Sequence, residues 1–156
     1  MRIHKCLYWL PLLLLPTGNV LIAAITGQPM SPALPYLLGA AAEELFYRRF
    51  LLKTVLLPQL RPRFAILLTA GLFAGMHFFN LRAGAGLDET LLQAAYAFCF
   101  SVWAGAVTWR STWLLPLAAH VLLNLTATAE VTAVSLMLGI AVLADGIVLL
   151  MSRHPE

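Results

Sequence analysis

Apolar runs of membrane-spanning length, separated only by short clusters of Gly, Pro and charge, constrain this chain more than any other feature. They fall at about residues 7–25, 33–57, 64–81, 89–109, 112–129 and 131–151. A helix needs about 20 residues to cross the hydrocarbon core. Six such crossings take up about 120 residues and leave only short loops and two stubs. The runs show no period-2 alternation and are too long for barrel strands. The expected fold is therefore all-α, a polytopic transmembrane bundle of about six helices. It forms one integral membrane domain over residues 1–156 with a four-helix core at about 33–129. Composition agrees: 61% of residues are hydrophobic and 11% charged, where a soluble domain carries about a quarter charged residues. The first run is longer than a signal-peptide core and lacks a small-x-small cleavage site, so it is read as a retained helix.

The net charge is +3, but the basic residues stand singly between apolar runs, which excludes a phosphate-binding footprint and nucleic acid as a partner. Their distribution is a topology signal. Arg2, Lys5, Arg61, Arg63, Arg110 and Arg153 fall in alternate loops, whereas the opposite loops hold Arg82 with Asp88, Glu89 and Glu130. The positive-inside rule then puts both termini in the cytoplasm. Cys6 and Cys99 lie in different runs without disulfide or metal spacing.

Three polar groups interrupt the apolar pattern. Glu43-Glu44-Leu-Phe-Tyr47-Arg48-Arg49 sits within the second run. Each mid-bilayer charge costs about 2.5–3.5 kcal/mol, so two glutamates and an arginine cost about 7–10 kcal/mol if unpaired. Glu44 and Arg48 are spaced i,i+4 and can pair, which leaves Glu43 with Tyr47 on the adjacent face. Alone, this reads equally well as a structural ion pair. Phe73-x-x-x-His77, with Asn80 one turn on, lies in the third run, where a lone histidine is more often a packing residue. Gly71 and Gly75 have GxxxG spacing, which predicts close packing against protein there. His120-x-x-x-Asn124 in the fifth run reads alone as an interhelical hydrogen-bonding pair. Together the three predict a polar chamber inside the bundle, because both interior histidines and the strongest acidic pair fall in separate apolar helices.

These motifs, in this order, resemble the CAAX-protease and bacteriocin-processing (Abi, or CPBP) family of intramembrane endopeptidases. The Arg110-Ser-Thr-Trp113 approach to the His120 helix fits too, while Arg49 departs from the glycine that many members carry. The resemblance implies an intramembrane peptidase, of glutamic type by preference, acting on a membrane-anchored peptide or protein. A CAAX-like tail, a leader peptide and a C-terminal sorting signal are the substrate classes it implies. It also implies residence in a bacterial or archaeal cell membrane.

Peptide hydrolysis needs an activated water, a stabilised oxyanion and a protonated leaving amine. Glu43 is assigned as general base, His77 as the group that binds and polarises the water, and His120 with Asn124 as oxyanion donors. Glu44, Arg48, Asn80 and Phe73 are assigned as supporting residues. No cofactor is favoured. Zinc is the alternative, with Glu43, His77 and His120 as its ligands, although no HExxH pair exists. A small proton or cation carrier would use the same groups in relay, but would predict inverted repeats, and none is visible.

Overall fold

A computed structural model of the chain describes residues 3–27, 34–126 and 133–152. It contains six helices: α1 (Ile3–Thr26), α2 (Leu34–Glu44), α3 (Pro62–Met76), α4 (Leu87–Arg110), α5 (Leu114–Leu125) and α6 (Ala133–Met151). Two of them change pitch. Residues Leu45–Leu56 carry α2 onward as a π-helical stretch, and His77–Ala83 extend α3 as a 3-10 turn. No strand occurs among the described residues.

Local chemistry sets the boundaries. Pro62 opens α3 at its first turn, after an extended Arg61, where its missing N–H is no loss. Asp88 and Glu89 begin α4 and Arg110 ends it, each sign matching the helix dipole. Gly84 closes the 3-10 turn with φ +92°, a conformation favoured only for glycine.

Helix α4 is the centre of the bundle, with Phe100, Val102, Trp103, Ala104, Ala106 and Val107 all buried. Helix α3 packs on one side of it and α6 on another, while α1 packs against α5 and α6. Buried Asn19 of α1 donates to the Leu123 carbonyl at 3.5 Å and to Thr126 Oγ1 at 3.4 Å. Glycines let α6 lie close along α4: Gly139 faces Tyr96 and Cys99, and Gly146 faces Trp103. Both sequences rise in the same direction, so the two helices run parallel. At their ends, Arg110 donates to the Ser152 carbonyl.

A Cβ on Gly146 would lie 2.8 Å from the Trp103 Cα and 2.9 Å from its backbone nitrogen. Backbone cannot rotate away as a side chain can. Gly146→Ala is therefore expected to cost about 1–3 kcal/mol by overpacking, read as a lower thermal midpoint in detergent. Gly71→Ala, inside α3 with nothing within 4 Å of its added carbon, should not lower the midpoint and should raise it slightly through helix propensity.

That open space corrects the expectation for the GxxxG pair. Gly71 and Gly75 are exposed and line an open apolar groove with Phe46, Tyr47, Leu51, Leu72, Met76 and Phe79. The buried face of α3 is instead Ala65, Ile66, Thr69, Ala70 and Phe73, which turns the two glycines away from α4.

Helices Tyr8–Thr26, Pro62–Ala83 and Leu87–Arg110 are long and apolar enough to cross a membrane. The fifth is shorter than expected from residues 112–129. It has 12 residues, about 18 Å of helix, and closes where the Thr126 N–H is shared by the Leu122 and Leu123 carbonyls. Arg2, Glu130 and Arg153, part of the charge asymmetry, lie outside the described residues.

Candidate active site

The polar groups of α2 sit where its pitch changes. Glu43 and Glu44 end the α-helical part, and Tyr47 and Arg48 lie in the first π turn. The wider turn is visible in the i,i−5 bond from Leu57 N–H to the Leu52 carbonyl at 2.9 Å. π-Helical insertions recur at functional sites because they re-aim side chains. Here Glu44, Arg48 and Leu52 all become fully buried.

A fully buried carboxylate must be paired, and Glu44 is paired on both oxygens. Its Oε2 lies 3.1 Å from Arg48 Nε, the i,i+4 pair expected from the sequence. Its Oε1 lies 3.1 Å from His120 Nδ1 on α5. A carboxylate accepts, so Nδ1 carries the hydrogen and the ring is held in one orientation. The other ring nitrogen, Nε2, lies 3.8 Å from Glu43 Oε2, within ion-pair range but beyond a direct hydrogen bond. The Glu43 side chain is 41% exposed and that of His120 10%. Thus Glu44 is a sealed anchor and Glu43 an accessible acid on the same imidazole.

Phe73 organises the rest. Its ring meets Tyr47 edge-on at 5.1 Å, His77 at 5.4 Å and His120 at 5.9 Å. The Arg48 guanidinium carbon sits 5.1 Å over it, a cation–π contact that helps a desolvated cation. Phe100 of α4 also packs on the His120 ring, at 5.3 Å.

His77 lies at the junction between α3 and its 3-10 extension, half-buried. Its Nδ1 is 3.1 Å from the Phe73 carbonyl. A carbonyl only accepts, so Nδ1 carries hydrogen there. In the neutral ring Nε2 is then the basic nitrogen. Asn80 donates to Gln93 Oε1 of α4 at 2.8 Å. Asn124, one turn beyond His120, donates to the Tyr36 carbonyl of α2 at 2.9 Å. Its amide keeps a second N–H for another acceptor.

The zinc alternative required Glu43, His77 and His120 to converge. Among the described residues, no three His, Cys, Asp or Glu side chains gather as a metal-binding group. His120 instead offers its two nitrogens to two carboxylates, so the arrangement does not fit that ligand set.

The acid–base cluster is sealed at Glu44 and accessible at Glu43, within a bundle in which three helices are long and apolar enough to cross a membrane. Residues 25–126 match the type II CAAX prenyl endopeptidase Rce1-like family, well over half of the 156-residue chain. The chain belongs to that family, and is accordingly an integral membrane protease of CAAX type. Comparison with curated proteins and with solved structures gives no significant match.

Sequence reasoning missed three features of the site. The Glu44–His120 bond joins residues 76 positions apart, and no local pattern signals it. Phe100 and Gln93 lie on α4, which carries no motif. Their only trace is the seven-residue spacing that puts them on one helix face.

Proposed function

We propose that the protein hydrolyses a peptide bond in a membrane-anchored, CAAX-like tail, with Glu43 as general base and no metal. The observation that carries this reading is His120, held by buried Glu44 on one nitrogen and turned towards accessible Glu43 with the other.

Charge bookkeeping supports the roles. With His120 protonated, Glu43 and Glu44 balance Arg48 and His120, and the cluster is neutral. A water bound between Glu43 and His77 gives one proton to the Glu43 carboxylate as its oxygen bonds to the scissile carbonyl carbon. The π electrons of that carbonyl move onto its oxygen. The cluster has then gained one positive charge beside one oxyanion, so the site stays neutral through the step. His120 Nε2–H and the second Asn124 amide hydrogen donate to the oxyanion. Collapse of the tetrahedral intermediate breaks the C–N bond, and Glu43 returns its proton to the leaving nitrogen. His77, with Nε2 as acceptor, holds the second hydrogen of the water.

The basic residues Lys5, Arg61, Arg63 and Arg110 set both termini on the cytoplasmic side in this reading.

The test uses purified protein in detergent and a fluorogenic lipid-modified peptide ending in a CAAX-like sequence. His120→Gln should lower kcat by about 10²–10³, the usual loss for one oxyanion donor. Wild-type cleavage should survive a strong chelator. Cleavage lost to the chelator and regained with zinc would overturn the metal-free reading.

A further inference from the structure

Helix α4 carries none of the catalytic candidates, yet it reaches His120 and the turn that begins at His77. Phe100 packs on the His120 ring at 5.3 Å. Two turns earlier on the same face, Gln93 accepts a hydrogen bond from Asn80 at 2.8 Å. Asn80 lies in the 3-10 turn His77–Ala83, whose first residue is the candidate catalytic histidine.

That turn needs an external restraint. Its seven residues exceed the three or four over which 3-10 geometry is comfortable, and none of them is buried. It lies against α4 and α3 through half-buried and exposed residues, so burial alone holds it weakly. Its far end is closed by Gly84 and by the Ala85 N–H bonding to the Asn80 carbonyl at 3.1 Å. Both are bonds within the same segment. Among the described residues, Asn80 to Gln93 is the side-chain hydrogen bond that ties this turn to another helix.

We infer that Gln93 is a positioning residue for the reaction: acting through Asn80, it fixes the His77 turn against α4 and so sets where His77 stands relative to His120 and Glu43. This rests on the role proposed above for His77. Gln93 touches neither water nor substrate. Its effect passes through one amide–amide bond whose loss lets the His77 backbone relax towards a regular helix. A displacement of about 1 Å at a reacting group is enough to cost as much as 10²-fold in rate.

The experiment compares Gln93→Leu, which removes the acceptor, with Gln93→Glu, which keeps an oxygen for the Asn80 amide. Two quantities are read: cleavage kinetics, and the ring-nitrogen NMR signal of His77 in labelled full-length protein in detergent, assigned with His77→Gln. Gln93→Leu should lower kcat by about 10–100-fold with KM changed by no more than about twofold, and should move the His77 signal. Gln93→Glu should restore both towards wild type. Asn80→Leu combined with Gln93→Leu should be no worse than either alone, because the two act through one bond.

An unmoved His77 signal in Gln93→Leu overturns the inference, whether kcat falls or not, since any effect then travels by another route. A fall in thermal midpoint with the same unmoved signal also overturns it, by making the bond purely structural. A signal that moves in Gln93→Leu and returns in Gln93→Glu, with no cleavage even by wild type, upholds the positioning link and sinks the proposed reaction instead.

Discussion

Glu43→Gln is expected to lower peptide cleavage by about 10²–10⁴-fold, the range over which a positioned general base contributes, and to leave the thermal midpoint unchanged. Both halves follow from the same geometry. Glu43 is 41% exposed and lies 3.8 Å from the His120 ring, whereas Glu44 is fully buried between Arg48 and His120. The amide leaves the buried contacts of Glu44 with Arg48 and His120 in place, and its similar shape keeps the α2–α5 contact. What it loses is the ability to take a proton from water. Glu43→Asp, which keeps the carboxylate but withdraws it, should fall between the two. Undiminished cleavage by Glu43→Gln, measured on folded protein in detergent, would remove Glu43 from the chemistry altogether.

Arg48→Met should be the most destabilising single change in the site. Arg48 and Glu44 are both fully buried and 3.1 Å apart. Removing one member of such a pair typically costs about 3–5 kcal/mol because the survivor stays desolvated. For a chain of this size that corresponds to a midpoint lower by on the order of 10 °C. His120 would remain as the only partner of Glu44, at 3.1 Å. The cation–π contact with Phe73 would also be lost.

The double variant Glu44→Leu/Arg48→Met should recover much of that stability, since replacing a buried ion pair by apolar side chains is often neutral or favourable. Activity should not return with it. His120 would have lost the acceptor that fixes its Nδ1 hydrogen and its ring orientation. Recovery of stability and cleavage together would show that Glu44 and Arg48 serve packing alone.

These outcomes bear on how the site is built. Glu43 and Glu44 are neighbours in sequence with the same side chain, yet one is the accessible acid and the other a sealed anchor. Helix geometry turns them about 100° apart. The anchor faces α5 and the interior, where Arg48 and His120 meet it. The π-helical stretch begins at the next residue, Leu45, and carries Tyr47 and Arg48 inward against Phe73. The sequence assigned Phe73 only a supporting role, one turn from His77. Its ring in fact touches both histidines, Tyr47 and Arg48.

The helical bundle was legible in the sequence because membrane burial is written locally. Length of apolar run, Gly and Pro punctuation and the sign of flanking charge each act within one segment, and the element order follows from them. The i,i+4 pairing of Glu44 with Arg48 was legible for the same reason, since both residues ride one helix face. The pitch changes were not legible. A π or 3-10 stretch differs from an α-helix by less than the local sequence can signal, and here it depends on what α3, α4 and α5 press against it.

The GxxxG spacing was misread because spacing tells which residues share a face and not which face a neighbour covers. Gly71 and Gly75 share one, and α4 covers another. The bond from Glu44 to His120, the packing of Phe100 on His120 and the tie from Asn80 to Gln93 all join separate helices. Such contacts depend on how far each helix is rotated and shifted along its neighbour, quantities set by the packing of all six together. Residue types and intervals along the chain thus named the acids, the histidines and the asparagines. Which carboxylate is sealed, which imidazole nitrogen is free and what holds the His77 turn were decided by helix against helix.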